Sequence, residues 1–388
     1  MPFTCPLDGL EHRGYPYPMD RRETERLLEV IRQARAAMEP FALATVVRVR
    51  GSAYRREGTR MVVRQNGTYE CALSGGCLEP AVAKAAARVI ASGQPVIVTY
   101  DLADDSIWGL GIGCSGAVDI HIERVEQDRI ASEWLEVLER GEAAVLVTPL
   151  SGVTGRMIVR SDEMCIGSLT NRVIEREAIT QADSRLRSTH TRSGAEWTGN
   201  AEIFFEIATR PPELTIFGAG DDAVAVAQLA WSLGFTVTVV DVREAPLLAV
   251  RFPRAQLVHA HFSQFREKLR LAPLSSVLVM NHHVERDEQS LRFGLESNAA
   301  YIGVLGPRSR YEKLLTGLGK QGYSPSSSAL SRVRSPVGLS LGAETPQEIA
   351  VSILAEILAT RNGFEGGFLS GVVGSLHHPD ASRILARS

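Results

Sequence analysis

Two of the five cysteines in this chain sit among glycines, and a separate glycine loop carries no sulfur. Ser74-Gly75-Gly76-Cys77 and Gly111-Ile112-Gly113-Cys114-Ser115-Gly116 surround each thiol with backbone that has no side chain to shield it, so a ligand can approach closely. A thiol in that setting is a nucleophile, a persulfide carrier or a soft-metal ligand. Cys77 also falls where a helix begins, and unpaired N–H groups of a first turn favour a thiolate. The loop around Cys114 offers N–H groups that can form a nest for an anion. Cys77 and Cys114 are therefore the candidate contacts to a metal or a transferred sulfur atom, framed by Ser74, Gly75, Gly76 and Gly113. Cys5, Cys71 and Cys165 lack such surroundings and read as small buried apolar groups. An odd number of thiols at irregular spacing, with no C-x-x-C, points to reduced cysteines rather than a disulfide framework or zinc ribbon.

The third loop, Gly218-Ala219-Gly220-Asp221-Asp222-Ala223, has the setting of a dinucleotide fingerprint. Gly218 would make the tight turn, Gly220 would let backbone approach a pyrophosphate, and Ala223 would pack helix on strand. Asp241 stands about where a carboxylate accepts from a ribose 2′-hydroxyl, and Arg243 about where a 2′-phosphate would be met, so NAD and NADP are both open. The alternative is a scaffold without nucleotide, because Asp221 and Asp222 compete with a phosphate for the positive end of the helix. His282, His283, Arg308 and Arg310 follow strands at the same edge, and two adjacent histidines point apart rather than sharing a metal. No Ser-His-Asp signature, catalytic carboxylate pair or H-E-x-x-H is present.

Periodicity supplies the elements that must position these groups. Residues 21–38 repeat as a helix, 41–49 and 60–64 as strands with Asn66-Gly67 as the turn behind them, and 78–91 as an amphipathic helix. Strands over 95–100 and 117–123 flank the second cysteine loop. A degenerate copy follows: 144–148, 156–160 and 165–168 match 42–46, 60–64 and 71–74, with Leu169-Thr170-Asn171 standing for Gly75-Gly76-Cys77 and a helix over 172–186. After Arg210-Pro211-Pro212 comes a βαβ unit with strands at 214–217 and 236–240, extended by strands at 276–280 and 300–304. Thr345-Pro346-Gln347-Glu348 opens the last helix with a capping box. The expected fold is α/β: a C-terminal Rossmann-like doubly wound parallel sheet, with an N-terminal mixed α+β domain holding the repeat. The expected segments are a tail (1–19), a thiol-loop domain (20–125), the repeat (126–210), the Rossmann-like domain (211–362) and a Gly/His-containing tail (363–388).

At 388 residues, 44% hydrophobic and 22% charged, the chain has the composition of a soluble globular protein. A net charge of -3 with scattered arginines argues against a nucleic-acid or anionic-membrane partner. No apolar leader or spanning run is present, so the expected location is the cytoplasm.

The residues 51–55, Ser74-Gly75-Gly76-Cys77-Leu78-Glu79, Gly113-Cys114-Ser115-Gly116, the Gly218 loop, 301–308, and Ser335-Pro336-Val337-Gly338-Leu339 through 342–351 resemble the XdhC/CoxI family. Those proteins are accessory factors for xanthine dehydrogenase and related molybdenum hydroxylases. The resemblance implies a non-catalytic chaperone that binds molybdenum cofactor, as molybdopterin or its dinucleotide form. It would protect the cofactor while a cysteine desulfurase supplies the sulfido ligand, then deliver it to an apo molybdenum hydroxylase of the xanthine dehydrogenase or CO dehydrogenase type. Carried over by position, Cys77 and Cys114 are the thiols at the cofactor, and the oligomeric state, a homodimer included, stays open. The chain departs from the family pattern at Tyr54, where proline is usual, at Ser115, where glycine is usual, and at Asn281-His282-His283-Val284, where Thr-His-Asp-Pro is usual. The alternative readings are an NAD(P)-dependent oxidoreductase, with His282 or His283 as proton donor, and a redox sensor using Cys77 and Cys114.

Overall fold

The computed structural model describes residues 21–51, 53–102, 116–126, 128–162, 164–187 and 192–371. Gly113 and Cys114 lie outside the described residues, as do Cys5 and the expected N-terminal tail. The chain divides into two compact units between Arg210 and Pro211.

The first unit is built twice from one plan. α1 (Arg21–Ala36), β1 (Phe41–Gly51), β2 (Arg60–Arg64), β3 (Tyr69–Glu70), α2 (Glu79–Ser92), β4 (Val96–Asp101) and β5 (Gly116–Arg124) form the first copy. α3 (Arg129–Arg140), β6 (Ala144–Ser151), β7 (Gly155–Arg160), β8 (Cys165–Leu169), α4 (Arg172–Arg187), β9 (Gly194–Thr198) and β10 (Ala201–Ala208) form the second. The antiparallel sheets run β3-β2-β1-β5-β4 and β8-β7-β6-β10-β9, the same order element for element.

The ladders correct the register of the repeat. Phe41 pairs Arg64 and Ala144 pairs Arg160, so the counterpart of Ala144 is Phe41 and not Ala42. Val63 pairs Tyr69 and Val159 pairs Cys165, so Cys165 corresponds to Tyr69, two residues from the Cys71 that sequence matching selects. With that offset Leu73 meets Leu169, both buried, and Ser74 to Glu79 corresponds to Thr170 to Glu175. Matching two cysteines by type overlooks the strand pairing that sets the true correspondence.

The helix α2 lays Val82, Ala86 and Val89 on Ala42, Ala44, Met61 and Ile120. In the second copy Ile174, Ala178 and Ala182 of α4 cover Val145, Met157 and Phe205. The helix α3 touches both sheets: Ala131 and Leu135 join Leu27, Phe41 and Leu43, while Trp134 and Val137 join Ala144, Leu146 and Ile158. Charged side chains complete the join. Arg60 pairs with Glu206, and Arg156 reaches Glu123 at 2.9 Å and Asp128 at 2.9 Å. In the ladders Glu123 faces Leu43 and Glu206 faces Leu146, so each copy's strand arginine meets the equivalent glutamate of the other copy. Both side chains of the Arg60–Glu206 pair are 5% exposed or less. Burial, with Arg156 nearby, pulls the Arg60 guanidinium down to about 9 against the pull of Glu123, which still leaves it charged at neutral pH.

The second unit holds β11 (Glu213–Phe217), α5 (Asp221–Ser232), β12 (Thr236–Asp241), β13 (Ala255–His259), α6 (Phe265–Lys268), β14 (Ser276–Val279), α7 (Val284–Glu296), β15 (Tyr301–Val304), α8 (Arg308–Lys320), α9 (Ser327–Leu330), β16 (Val333–Arg334) and α10 (Pro346–Asn362). Its sheet runs β13-β12-β11-β14-β15-β16 with every pair parallel. The chain winds outward from β11 through β12 and β13, then returns to β14, which creates a switch point between β11 and β14. Ala223 and Ala227 of α5 pack in one cluster with Ile353, Leu354 and Ile357 of α10, whose start carries the Thr345/Glu348 capping box. Among the described residues no helix is long and apolar enough to cross a membrane.

Arg60→Met alone should lower the unfolding free energy by about 3–5 kcal/mol, because it strands the buried Glu206 carboxylate. Arg60→Met combined with Glu206→Leu should recover most of that loss. Denaturant unfolding of the two variants measures both, and equal losses in single and double variants would contradict the buried pair.

Candidate functional site

The first candidate site is the loop between β3 and α2. Gly76 has φ +108°, a conformation that disfavours any side chain, whereas Gly75 carries no such constraint. A Cβ built on either glycine meets no atom within 4 Å, so both face open space among the described residues. Cys77 is half-buried with one flank against the α2 core cluster.

A buried carboxylate organises this loop. Glu79, 1% exposed, accepts the Ser74 N–H at 2.7 Å on one oxygen and the Ser74 hydroxyl at 2.7 Å on the other. The Ser74 oxygen in turn accepts from Cys77 Sγ at 3.2 Å and from the Leu78 N–H at 3.2 Å. Cys77 therefore precedes α2 and has its sulfur directed at Ser74. The sequence places Glu79 in the first helical turn without revealing this task, since a hydrophobic period does not show that a carboxylate faces inward. In the second copy Glu175 accepts the Leu169 N–H at 2.7 Å and Arg172 at 2.6 Å, and Asn171 caps Val173 and Ile174. There α4 begins at Arg172, where the first copy has Gly76, and Val173 replaces the thiol.

The other thiols differ. Cys71, at φ +65°, donates to the Glu23 carbonyl and packs beside the cluster of α1; burial, reinforced by the Glu23 carboxylate, pushes its thiol up to about 11. Cys165 is exposed rather than buried, because β8 is an edge strand that buries Leu169 alone. Among the described residues no group of three or more His, Cys, Asp or Glu could hold a metal ion.

The second candidate site is the carboxyl edge of the parallel sheet. Gly218, at φ +110°, lies so close to β14 that a Cβ would stand 2.5 Å from the Met280 oxygen. Gly220 caps α5 and leaves room, its nearest neighbour being His282 Cδ2 at 3.8 Å from the Cβ position. Ala223 is fully buried in the core beneath α5. Asp241 is 2% exposed and accepts the Ala219 N–H at 2.9 Å. It also takes the Arg243 N–H at 2.9 Å, Nε at 3.0 Å and Nη2 at 2.9 Å. Desolvation favours the protonated carboxyl, but these donors outweigh it and hold Asp241 below the ordinary carboxylate range. Arg251 ties Asp221 at 2.7 Å to the Ala219 carbonyl at 2.8 Å, so one of the two helix-start carboxylates is neutralised.

His282, at φ +57°, places Nε2 3.5 Å from Asp222. His283 is the N-cap of α7 without a side-chain cap bond. The buried Asp287 accepts Asn281 at 2.9 and 3.1 Å and pairs with Arg310 at 2.5 Å, which gives Arg310 a structural partner; exposed Arg308 pairs along its helix with Glu312.

Residues 34–101 match the model described as XdhC and CoxI family, and residues 214–357 match the XdhC Rossmann domain. A Bacillus subtilis protein named as a probable xanthine dehydrogenase subunit is 34% identical over 331 residues, spanning 83% of this chain and 94% of that one. The Escherichia coli "Molybdenum cofactor insertion chaperone PaoD" is 26% identical over 321 residues, spanning 82% and 83%. A crystal structure described as a xanthine dehydrogenase from Bacillus halodurans superposes with a TM-score of 0.71 at 30% identity, covering 87% of this chain and 95% of that one.

Gly75→Ala should leave stability within about 0.5 kcal/mol, while Gly76→Ala should cost about 1–2 kcal/mol for the left-handed backbone; urea midpoints distinguish them. At pH 8 only about one Cys71 in a thousand should be thiolate, so it should resist iodoacetamide until the pH nears its raised value. Peptide mass spectrometry of protein alkylated across pH 7–11 reads this directly, and early labelling of Cys71 would contradict it.

Proposed function

This chain belongs to the XdhC and CoxI family, and from that membership we propose that it acts in molybdenum cofactor maturation: binding the cofactor, supporting its sulfuration and delivering it to an apo molybdenum hydroxylase. The observation that carries the proposal is the Ser74–Glu79 loop, where a half-buried thiol stands beside two glycines that face open space. Naming of two relatives for xanthine dehydrogenase and for molybdenum cofactor insertion supports the same reading.

The residues suit such a guest. Molybdenum in this cofactor is held by the pterin's own dithiolene, so the protein need supply contacts and exclusion of water rather than a full set of ligands. When bound, the cofactor would supply a metal centre that receives sulfur. Cys77 offers the soft contact or a site for persulfide sulfur donated through a cysteine desulfurase, and Gly75 and Gly76 admit the guest to the backbone. Cys114 is proposed as the second thiol, with Gly113 beside it. Glu79 keeps Ser74 and Cys77 in register without touching the guest.

In the parallel-sheet unit, the glycine loop of Gly218 and Gly220, with Ala223 behind it and Asp241 at the end of β12 bonded to it, stands at a switch point, the place where such sheets receive a dinucleotide. We assign it a dinucleotide, either the nucleotide extension of the pterin or a separate nicotinamide cofactor. The same edge favours a second reading as an NAD(P)-dependent oxidoreductase, for which His282 beside Asp222 is the proton-donor candidate.

Protein purified from a host that makes molybdenum cofactor should carry near-stoichiometric molybdopterin by fluorescence after oxidation, with matching molybdenum by metal analysis. Cys77→Ala should reduce both about tenfold or more, the loss of roughly one soft contact worth about 1.4 kcal/mol. Absence of pterin from the unmodified protein, together with turnover of NAD(P)H, would replace the chaperone reading with the oxidoreductase.

A further inference from the structure

The corner of the glycine-loop edge at the end of β12 has a charge arrangement that selects among dinucleotides. At a switch point of this kind the adenosine ribose lies beside the residue that ends the second strand, here Asp241. A ribose with a free 2′-hydroxyl is recognised there by a carboxylate with an open lone pair. Asp241 has none to spare. Its oxygens already accept the N–H groups of Ala219 and Arg243 and both Nε and Nη2 of Arg243, and only 2% of the residue is exposed. A carboxylate offers about four acceptor positions, and four donors occupy them.

Arg243 has the opposite property. Its side chain is 48% exposed, and the fork that grips Asp241 fixes the plane of the guanidinium. Among the described residues Nη1 has no hydrogen-bond partner, so one edge of a rigid cation faces outward. A planar guanidinium held in place is well suited to a phosphate dianion. The exposed Glu244 follows Arg243 in the chain, while two other polar neighbours are engaged elsewhere. Asp221 is bound by Arg251, which is itself anchored to the Ala219 and Pro246 carbonyls. His259, the ladder partner of Asp241 on β13, contacts the Val242 carbonyl through Nε2 at 3.0 Å.

We infer that this unit takes a dinucleotide phosphorylated at the adenosine 2′ position, of the NADP type, in preference to one with a free 2′-hydroxyl, and that Arg243 is the specificity-determining residue. The inference rests on the proposed dinucleotide reading of the glycine loop and decides between its two forms in favour of a separate nicotinamide cofactor. Asp241 is on this account a positioning residue: it orients Arg243 and the Ala219 N–H and leaves the ribose to the guanidinium.

The test is a fluorescence titration of the full chain with NADPH and with NADH at low salt. NADPH should bind about tenfold or more tightly than NADH, as expected for one added charge-assisted pair. Arg243→Ala removes the cation and opens the Asp241 carboxylate, so the preference should vanish or reverse while NADH still binds. Arg243→Lys keeps the charge without the fork and should retain only part of the preference, which preserves the test if the alanine variant fails to fold. Equal affinities in the unmodified chain, or an unchanged ratio in both variants, would overturn the assignment to Arg243 while leaving the glycine loop as a dinucleotide site. Failure of both nucleotides to bind at millimolar concentration would overturn this inference and the nicotinamide form of the dinucleotide reading, and would leave the nucleotide extension of the pterin as its remaining form.

Discussion

The first unit depends on charges exchanged across its own pseudo-dyad. Arg60 to Glu206 and Arg156 to Glu123 are the same contact made twice, each copy lending an arginine to the other's glutamate. Such reciprocity is what a two-fold interface produces between identical subunits, here retained inside one chain. Desolvating these ions is costly, and the attraction between them offsets that cost only in the correct register, since a slip of one residue turns every side chain to the other face of its strand. The ion pairs define which sheet residues face which, with Trp134 of α3 lying 6.0 Å from the Arg60 guanidinium to close the space beside them.

Duplication also explains what is particular about the thiol loop. At equivalent positions the second copy begins its helix at Arg172, capped by Asn171, whereas the first copy holds Gly75 and Gly76 in open loop and begins α2 three positions later, at Glu79. Two glycines replace a helical turn with accessible backbone and a thiol. The glutamate common to both, Glu79 or Glu175, keeps the strand end and helix start together in either arrangement. The second copy thus provides an internal control: the scaffold needs the carboxylate, and the glycines and sulfur are additions to it.

Much of this is legible in residue patterns. Alternation and helical period locate α1, β1, β2, α2, β4 and β5 of the first copy and β6, β7, β8 and α4 of the second, though not β3, α3, β9 or β10, and the βαβ unit with its glycine loop announces the parallel sheet. The register of the repeat is not legible, because Cys71 and Cys165 match in type while the ladders place Cys165 opposite Val159 and equivalent to Tyr69. Asp221 and Asp222, which the sequence sets at the positive end of a helix, are the first turn of α5. Partners chosen by three-dimensional packing are hidden as well: that Asp241 is occupied by a residue two positions on, and Asp287 by one from another helix, has no signature in spacing.

Those hidden carboxylates follow one physical rule. A loop rich in glycine or open to solvent has few side chains to pack, so its order must come from hydrogen bonds to its backbone. Glu79 holds the Ser74 N–H, Asp241 the Ala219 N–H, Asp287 the Asn281 N–H and Glu356 the Gly338 N–H at 2.8 Å. Each takes a further donor as well: Ser74 Oγ, Arg243, Arg310 and the Tyr301 hydroxyl respectively. The first three are almost fully buried, which makes an unpaired charge prohibitive and a fully bonded one directional. A loop fixed in this way keeps its shape while its glycines stay bare, and a bare but ordered backbone is the surface that a large cofactor requires. The same rule separates the carboxylates that build these loops from groups free to meet a guest, and at the β12 corner it leaves the outward edge of Arg243 as the group that can do so.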